Sequence, residues 1–339
     1  MKLSVVIPTH NRRELLREVL DALARQTHPA SRFEVVVVAD GSEDGTMEML
    51  RNLQLPYGLR SYWQRQSGVA RARNRGIEEA AGDIVLFIDD DVIPLPDLVE
   101  EHVRWHEGDD NAVVIGRVSP PPRSKRPGWS KWEEQLLERH FETLAQKRRR
   151  TTARHVYSGN FSVRRRHLVS VGGFDESMTR AEDIDLGYRL ERGGLHFCFN
   201  PKANGIHCGY QSYEGWRRIS YQYGRLDVLM CRDKGYRGTL GARFASFRGA
   251  NILVRLSVAI CLDHGTVSGL LIGLLRYVAQ CGDYLGMSRL TRYLYSGISN
   301  LLYWQGFSDE LGGSVVFWRE VERHRFAVGD QGHDTSHTS

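Results

Sequence analysis

The sequence predicts an α/β fold, a mostly parallel sheet with flanking helices, followed by a helical C-terminal region. Three observations lead there. Short, nearly continuous apolar runs at residues 3–7, 33–39 and 84–88 are the kind a parallel sheet buries on both faces. Over roughly the first 115 residues these runs alternate with segments of helical period, as crossover connections require. From Tyr213 to about Val328 the apolar residues recur only at helical spacing.

The elements follow in order. Residues 3–7 form a first strand that ends at Pro8. In the helix after it, Asn11 stands at the cap position and Leu15, Leu16, Val19, Leu20 and Leu23 make one apolar face. Strand two, residues 33–39, ends in the turn-rich loop Asp40-Gly41-Ser42-Glu43-Asp44-Gly45-Thr46. A short helix at 47–53, a strand at 59–63 and a helix at 69–81 precede the Gly82-Asp83 turn and the strand at 84–88. A further strand at 112–118 is stopped by Ser119-Pro120-Pro121-Pro122, because proline cannot donate to a ladder. Residues 119–150 read as a basic, mobile insertion over the site, ending in Lys147-Arg148-Arg149-Arg150; that run fits a solvated loop better than a phosphate or anionic-lipid contact. A helix to Arg192 and a short strand at 196–199 complete a region of residues 1–212. Residues 213–328 form the helical region, available for acceptor, membrane or oligomer contacts, and 329–339 a polar, disordered tail.

Composition narrows the class. The 339 residues carry 46 Lys plus Arg and 41 Asp plus Glu, a net charge of +5, too mild to demand a polyanionic partner. No base-stacking module accompanies the basic run, which argues against a nucleic-acid binder. The five cysteines are widely spaced without a C-x-x-C pair, so a reduced, cytoplasmic chain is expected rather than a disulfide framework or zinc site. The apolar opening is too short for a signal-peptide core and reads as a strand. Between Arg255 and Arg276, Asp263 and His264 interrupt the best candidate for a membrane span. The uncharged remainder, residues 265–275, is about half of the ~20 needed to cross a bilayer. A buried helix pair and an interfacial pair at the inner face of a membrane both stay open.

The run Asp89-Asp90-Asp91 closes the apolar strand at 84–88. Three adjacent carboxylates repel unless something neutralises them. If the strand continues through them, Asp89 and Asp91 share one face and Asp90 takes the other. That would put two hard oxygen ligands at a strand's carboxyl end, where open α/β sheets bind ligands, and a divalent cation holding a diphosphate would relieve the repulsion.

Other segments converge on this one: residues 5–12, reading Val-Val-Ile-Pro-Thr-His-Asn-Arg; Asp40-Gly41-Ser42; residues 68–77 with Arg71 and Arg73; Ser158-Gly159-Asn160 through Arg165, with Gly172-Gly173-Phe174-Asp175-Glu176 after it; Glu182-Asp183-Ile184-Asp185; and His207. In this order and spacing, over about residues 3–210, the chain resembles the family 2 glycosyltransferases, which have the GT-A fold. The resemblance implies an inverting, metal-dependent transferase that moves a sugar from a nucleotide-sugar donor, UDP being the commonest in that family, to a hydroxyl on a glycan, a lipid-linked or a small-molecule acceptor. It implies that Asp40 accepts from the nucleobase, that Pro8 and Thr9 line the base and ribose pocket, and that Asp89 and Asp91 match the Asp-x-Asp motif. Asp91 would ligate Mn²⁺ or Mg²⁺, Asp89 would approach the ribose or the metal, and Asp90 would take the variable middle place among the nucleotide-binding residues. Arg71 and Arg73 cannot share a helix face; one would reach the nucleotide, here assigned to Arg71, while the other pairs within the fold. Asp183 matches the catalytic base and Glu182 would hold the acceptor or orient it. His207 would be a third ligand or a diphosphate contact. Gly159, Asn160 and Arg165 would shape the donor-sugar pocket.

Two rivals are weaker. A silent nucleotide-sugar scaffold is disfavoured because the metal motif and the base are both present. A nucleotidyltransferase would need a Gly-rich phosphate loop where Pro8-Thr9-His10-Asn11 stands. Trp129 and Trp132 suit packing better than sugar stacking. The helical region leaves peripheral membrane contact and a homodimer equally open.

Overall fold

The computed structural model describes residues 2–121, 126–148, 150–209, 211–236 and 239–324. Strands β1 (Leu3–Thr9), β2 (Phe33–Asp40), β3 (Gly58–Gln64) and β4 (Ile84–Ile88) run parallel in the order β3-β2-β1-β4. Helices α1 (Arg13–Leu23), α2 (Thr46–Asn52) and α3 (Val69–Glu79) connect them. Alternation along the strands feeds two cores. Val5, Ile7, Val35 and Val37 meet Leu16, Val19 and Leu20 of α1. Val6, Val36 and Val38 meet Ala70, Ala72 and Ile77 of α3. Both faces are therefore covered, which is why these strands read as continuous apolar runs.

Asn11 does not cap α1. It has φ +51, its side-chain oxygen accepts from the Glu43 N–H at 2.8 Å, and the first-turn N–H of Arg13 goes to Asp44 at 2.9 Å. The sequence pattern placed a capping residue correctly by type but gave it the wrong partner, because the partner lies some thirty residues away.

Past β4 the sheet becomes mixed. β5 (Val92–Pro94), β6 (Ala112–Ser119), β7 (Asn160–Arg164) and β8 (His196–His207) extend it in the order β7-β6-β8-β5. β7 lies antiparallel to both β4 and β6, and β8 parallel to β6. Helix α4 (Leu98–Gly108) precedes β6; α5 (Gly128–Ala145) lies within the expected insertion; α6 (Arg165–Ser170) and α7 (Glu182–Arg192) follow β7. The sequence reading has neither β5, β7 nor α4, and cuts β8 short at residue 199. Strand β7 escapes it because Asn160-Phe161-Ser162-Val163-Arg164 alternates polar and apolar residues, the pattern of a half-exposed strand, yet all five are buried.

The polar members of β7 are buried because α4 supplies partners. His102 Nδ1 and His106 Nε2 both lie 2.8 Å from Ser162 Oγ, and His102 Nε2 lies 2.9 Å from Asn160 Oδ1. The Asn160 amide donates to the carbonyls of Arg117 and Ala203 at 2.8 and 2.9 Å. Burial pushes the His102 imidazole down to about 4 and that of His106 to about 3. Both are therefore neutral in the native chain.

The chain divides into two compact units, one of residues 1–124 and 138–209, the other of 125–137 and 210–339. The division thus falls at 209/210 rather than 212, and the expected insertion is shared between the units instead of standing as one flap. Its residues 122–125 and Arg149 lie outside the described residues, as does the tail at 329–339. The second unit holds α8 (Tyr213–Arg232), α9 (Thr239–Gly249), α10 (Ile252–Cys261), α11 (Gly265–Tyr284), α12 (Ser288–Leu311) and α13 (Ser314–Arg323). Its core is aromatic, with Trp216, Trp304, Phe244, Phe307 and Phe317 all buried. Trp129 and Trp132 join it, with ring centroids 6.3 and 5.8 Å from Trp216; packing occupies both indoles. All five cysteines are free thiols.

The buried imidazoles predict a pH-dependent stability. A base whose folded pKa is depressed stays neutral when folded but takes up a proton when unfolded, so its contribution is complete above about 6.5 and is lost as the pH falls below that. At pH 5 each imidazole costs about 2 kcal/mol by this linkage. The stability difference between the parent and His102→Gln, followed by urea unfolding, should narrow by about 2 kcal/mol between pH 7 and pH 5. A difference independent of pH would show that His102 takes up its proton in the fold as readily as in the unfolded chain.

Candidate functional site

In the first unit Asp40 closes β2, Asp89, Asp90 and Asp91 follow β4, and Glu182 and Asp183 open α7. The Asp triplet lies in a turn, not in the strand: β4 ends at Ile88, and the Val92 N–H returns to the Asp89 carbonyl at 3.1 Å. Strand alternation therefore does not apply. Asp90 and Asp91 are paired and Asp89 stands apart. Arg12 Nη1 donates to Asp91 Oδ2 at 2.6 Å and to Asp90 Oδ1 at 3.0 Å. Thr9 Oγ1 donates to Asp90 Oδ2 at 2.7 Å. His207 Nε2 lies 3.5 Å from Asp91 Oδ1. Burial raises Asp90 to about 6 against the pull of Arg12 and Thr9. Burial also acts on Asp91, but His207 and Arg12 outweigh it and hold this carboxyl below its usual range.

A second arginine anchors the other half. Arg73 on α3 is buried and donates to Asp89 Oδ1 at 2.9 Å and to Glu182 Oε1 at 2.6 Å, with its guanidinium 5.5 Å from the Phe174 ring. Glu182 opens α7, and Asp183 follows. The Asp183 carboxylate accepts from the Ser158 N–H at 3.1 Å and hydroxyl at 3.3 Å and from the Ile184 N–H at 2.8 Å. The residue as a whole is partly exposed. Burial, then the charge of Glu182, raise it to about 6 despite Arg73 and the two N–H donors.

Two glycines let these groups approach. A Cβ on Gly209 would sit 2.2 Å from Asp91 Oδ2 and 2.8 Å from His207 Nε2; one on Gly159 would sit 2.9 Å from Asp89 Oδ2. Any side chain at either position would displace a site residue.

Of the residues expected from sequence, Thr9, Asp89, Asp90, Asp91, Glu182 and His207 are tied through Arg12 and Arg73 into two ion-pair groups, with Asp183 adjoining Glu182. Pro8 pairs in register with Val38, beside this end of the sheet. Asp40 accepts from the Ser67 and Gly68 N–H groups, both at 2.8 Å, and from Gln64 Nε2 at 2.9 Å; it holds the start of α3. Arg71 is exposed, whereas Arg73 makes the internal ion pairs. Asp185 is buried against Arg189 at 2.8 Å.

Two assignments are corrected. Asn160 is fully buried and spends its amide within the β6–β7–β8 core, so it does not face a donor sugar. Arg165 follows the far end of β7, where Arg164 pairs with Ile84 at the start of β4, and donates to the carbonyls of Ile77 and Glu78. The antiparallel course of β7 carries it to the opposite edge of the sheet. Sequence reasoning missed Arg12 and Ser158 as site residues. Both lie inside quoted motifs, but Arg12 is 78 and 79 residues from its partners, and no spacing rule links them.

The donor set suits a hard divalent cation held in part by a ligand. Among the described residues no group of three acidic, His or Cys side chains encloses a metal. Asp91 and His207 form one wall, and Asp89 is turned toward Arg73. Five carboxylates against two guanidiniums leave an excess of negative charge, which a cation or added protons must relieve.

A mostly parallel sheet with helices on both faces, carrying such a site at its strand ends, is of the GT-A type. Two solved structures share the fold: a mannosyltransferase from Pyrobaculum calidifontis in complex with GDP-Man and Mn²⁺, at a TM-score of 0.57 and 19% identity over 89% of this chain and 87% of that one, and Staphylococcus aureus TarS 1-349 in complex with UDP, at 0.55 and 16% over 99% and 95%. The profile of glycosyl transferase family 2 matches residues 4–172. The chain belongs to that family. Similar curated proteins are an uncharacterized glycosyltransferase, YfnE, of Bacillus subtilis (strain 168), 31% identical over 61% of this chain and 64% of that protein, and validoxylamine A glucosyltransferase of Streptomyces hygroscopicus subsp. jinggangensis (strain 5008), 32% identical over 62% and 56%. The chain thus spans between half and two thirds of these relatives.

The two arginines of α3 should separate cleanly in mutagenesis. Arg73→Ala leaves buried Glu182 and half-buried Asp89 without their cation, a loss of about 3–5 kcal/mol in urea unfolding. Arg71→Ala, on an exposed face, should stay within about 0.5 kcal/mol of the parent. Equal losses would place Arg71 in the folded network.

Proposed function

We propose that this chain is an inverting glycosyltransferase that moves a hexosyl group from a nucleotide-sugar, with UDP as the nucleotide, to an acceptor hydroxyl. The observation that carries this reading is Asp183: a carboxylate on a partly exposed residue, oriented by Ser158 and the Ile184 N–H, next to the Arg73–Glu182–Asp89 group. The UDP-bound structural neighbour and the glucosyltransferase relative support the donor class.

Asp91 and His207 would hold Mn²⁺ or Mg²⁺, with Asp89 toward the ribose, and the cation would supply Lewis-acid neutralisation of the departing diphosphate. Thr9 and Arg12 keep Asp90 and Asp91 facing one another. Asp40, by holding the Ser67 and Gly68 N–H groups, shapes the loop on which a nucleobase would rest, and retains acceptor capacity for an imide N–H. Pro8 floors that pocket, and exposed Arg71 is free to swing toward phosphate oxygens. Asp183 takes the proton of the acceptor hydroxyl as that oxygen bonds to the anomeric carbon and the bond to the diphosphate breaks. One displacement with one base inverts the anomeric centre. Glu182, fixed by Arg73, orients Asp183 rather than holding the acceptor.

Calorimetric titration of UDP, GDP, dTDP and CDP with Mn²⁺ tests the donor site. Binding of one nucleotide, UDP by this reading, should vanish without metal and in Asp91→Ala. No metal-dependent binding to any of the four would sink the proposal. Asp183→Asn should bind the same nucleotide unchanged while transfer falls by about 10²–10⁴-fold. Because Asp183 must be ionised to accept a proton, kcat should rise with pH up to about 6 and then level. A flat profile from pH 5 to 8 would remove Asp183 as the base.

A further inference from the structure

Among the described residues, 13 of the 21 exposed large hydrophobic side chains fall between Ile252 and Tyr293 of the helical unit. The concentration sets them apart from ordinary scattered surface apolar residues. They recur with helical spacing. On α10 they are Ile252, Leu253, Leu256 and Ile260; on α11 they are Val267, Leu270, Leu274 and Tyr277. The opposite side of α11, with Ser268, Ile272, Ala279 and Gly282, is buried. Helix α11 is therefore apolar nearly all round although one side faces solvent, which a water-exposed helix does not sustain without a partner. The outer positions are fully presented: Leu253 is 71% exposed, Leu270 74% and Tyr284 91%.

The charge around this surface indicates the partner. From residue 248 to 293 there are five arginines and only two aspartates, and Asp283 accepts from Tyr295 at 2.8 Å. Several arginines elsewhere in the unit are neutralised: Arg225 pairs with Glu310, Arg232 with Asp233 and Glu310, and Arg243 with Asp227. Among the described residues Arg255, Arg289 and Arg292 make no ion pair; Arg255 and Arg292 donate to backbone carbonyls. Unneutralised arginines with apolar side chains and with Tyr277, Tyr284 and Tyr293 match the headgroup level of an anionic bilayer, where aromatic rings and guanidiniums have both apolar and charged neighbours. No single described helix is long and apolar enough to cross a membrane; α9 and α10 pass that test only as a pair bent by 112°. Val258 and Cys261 of α10 are buried in the core of the unit, so the proposed contact uses only the outer side of α10 and lies in the plane of the interface.

We infer that the outer face of α10, α11 and the start of α12 is a docking surface for the surface of an anionic lipid bilayer. The inference stands apart from the donor-site reading and survives its failure.

The test is sedimentation of the full chain with vesicles of phosphatidylcholine alone and of phosphatidylcholine with phosphatidylglycerol at about two to one, at low and high salt. The chain should sediment with the anionic vesicles, and less so at high salt. Leu270→Glu with Leu274→Glu should release it at least about tenfold. Arg255→Gln with Arg289→Gln should weaken binding and flatten its salt dependence. Val315→Glu, an exposed apolar position on α13, should bind like the parent and control for nonspecific adhesion. A parent chain that stays in the supernatant with anionic vesicles would overturn the inference. So would binding that neither pair of substitutions changes, or an oligomer by light scattering that Leu270→Glu with Leu274→Glu converts to monomer.

Discussion

Five carboxylates share the strand ends of this sheet, and two guanidiniums keep them there. Arg12 spans Asp90 and Asp91, and Arg73 spans Asp89 and Glu182. Without these cations the acidic groups would repel one another in a poorly hydrated place, and the loops that carry them would part. Because each arginine joins two different segments, charge neutralisation also sets geometry. Arg12 ties the start of α1 to the turn after β4, and Arg73 ties α3 and that turn to the start of α7. Asp183 inherits its position from this second tie.

The neutralisation is incomplete, and that has chemical consequences. Burial, with the remaining negative charge adding to it, lifts Asp90 and Asp183 to about 6, while Asp91 stays ionised beside Arg12 and His207. A site in this condition gains from a further cation, and of its two raised carboxylates Asp183, on the less buried residue, would suit the proton acceptor proposed above. The neutral network of His102, His106, Ser162 and Asn160 lies between α4 and the neighbouring strand β7. It fills a polar core position without adding charge.

The helical unit follows a different logic. Its interior is closed by stacked aromatic rings, yet its outer surface on α10 and α11 is as apolar as many interiors. A helix with two apolar sides has no single inward face, so sequence periodicity cannot say which side is covered. That is why a buried pair and an interfacial pair were both consistent with residues 255–276, and why exposure was needed to distinguish the inner from the outer side.

Local chemistry was sufficient to read much of the rest. The apolar runs at 3–7, 33–39 and 84–88 determined a parallel sheet because only a sheet covered on both faces buries such runs. The motifs around Thr9, Asp91, Asp183 and His207 were legible because residue type and order along the chain carry them. What required the tertiary structure was every relation across long sequence distance: Arg12 with a turn 78 residues away, the polar strand β7 buried by two histidines of α4, and the removal of Asn160 and Arg165 from the site by burial and by strand direction. Periodicity reports the face a residue takes on its own element. Which element packs against that face, and which charge meets it there, is decided only when distant segments are brought together.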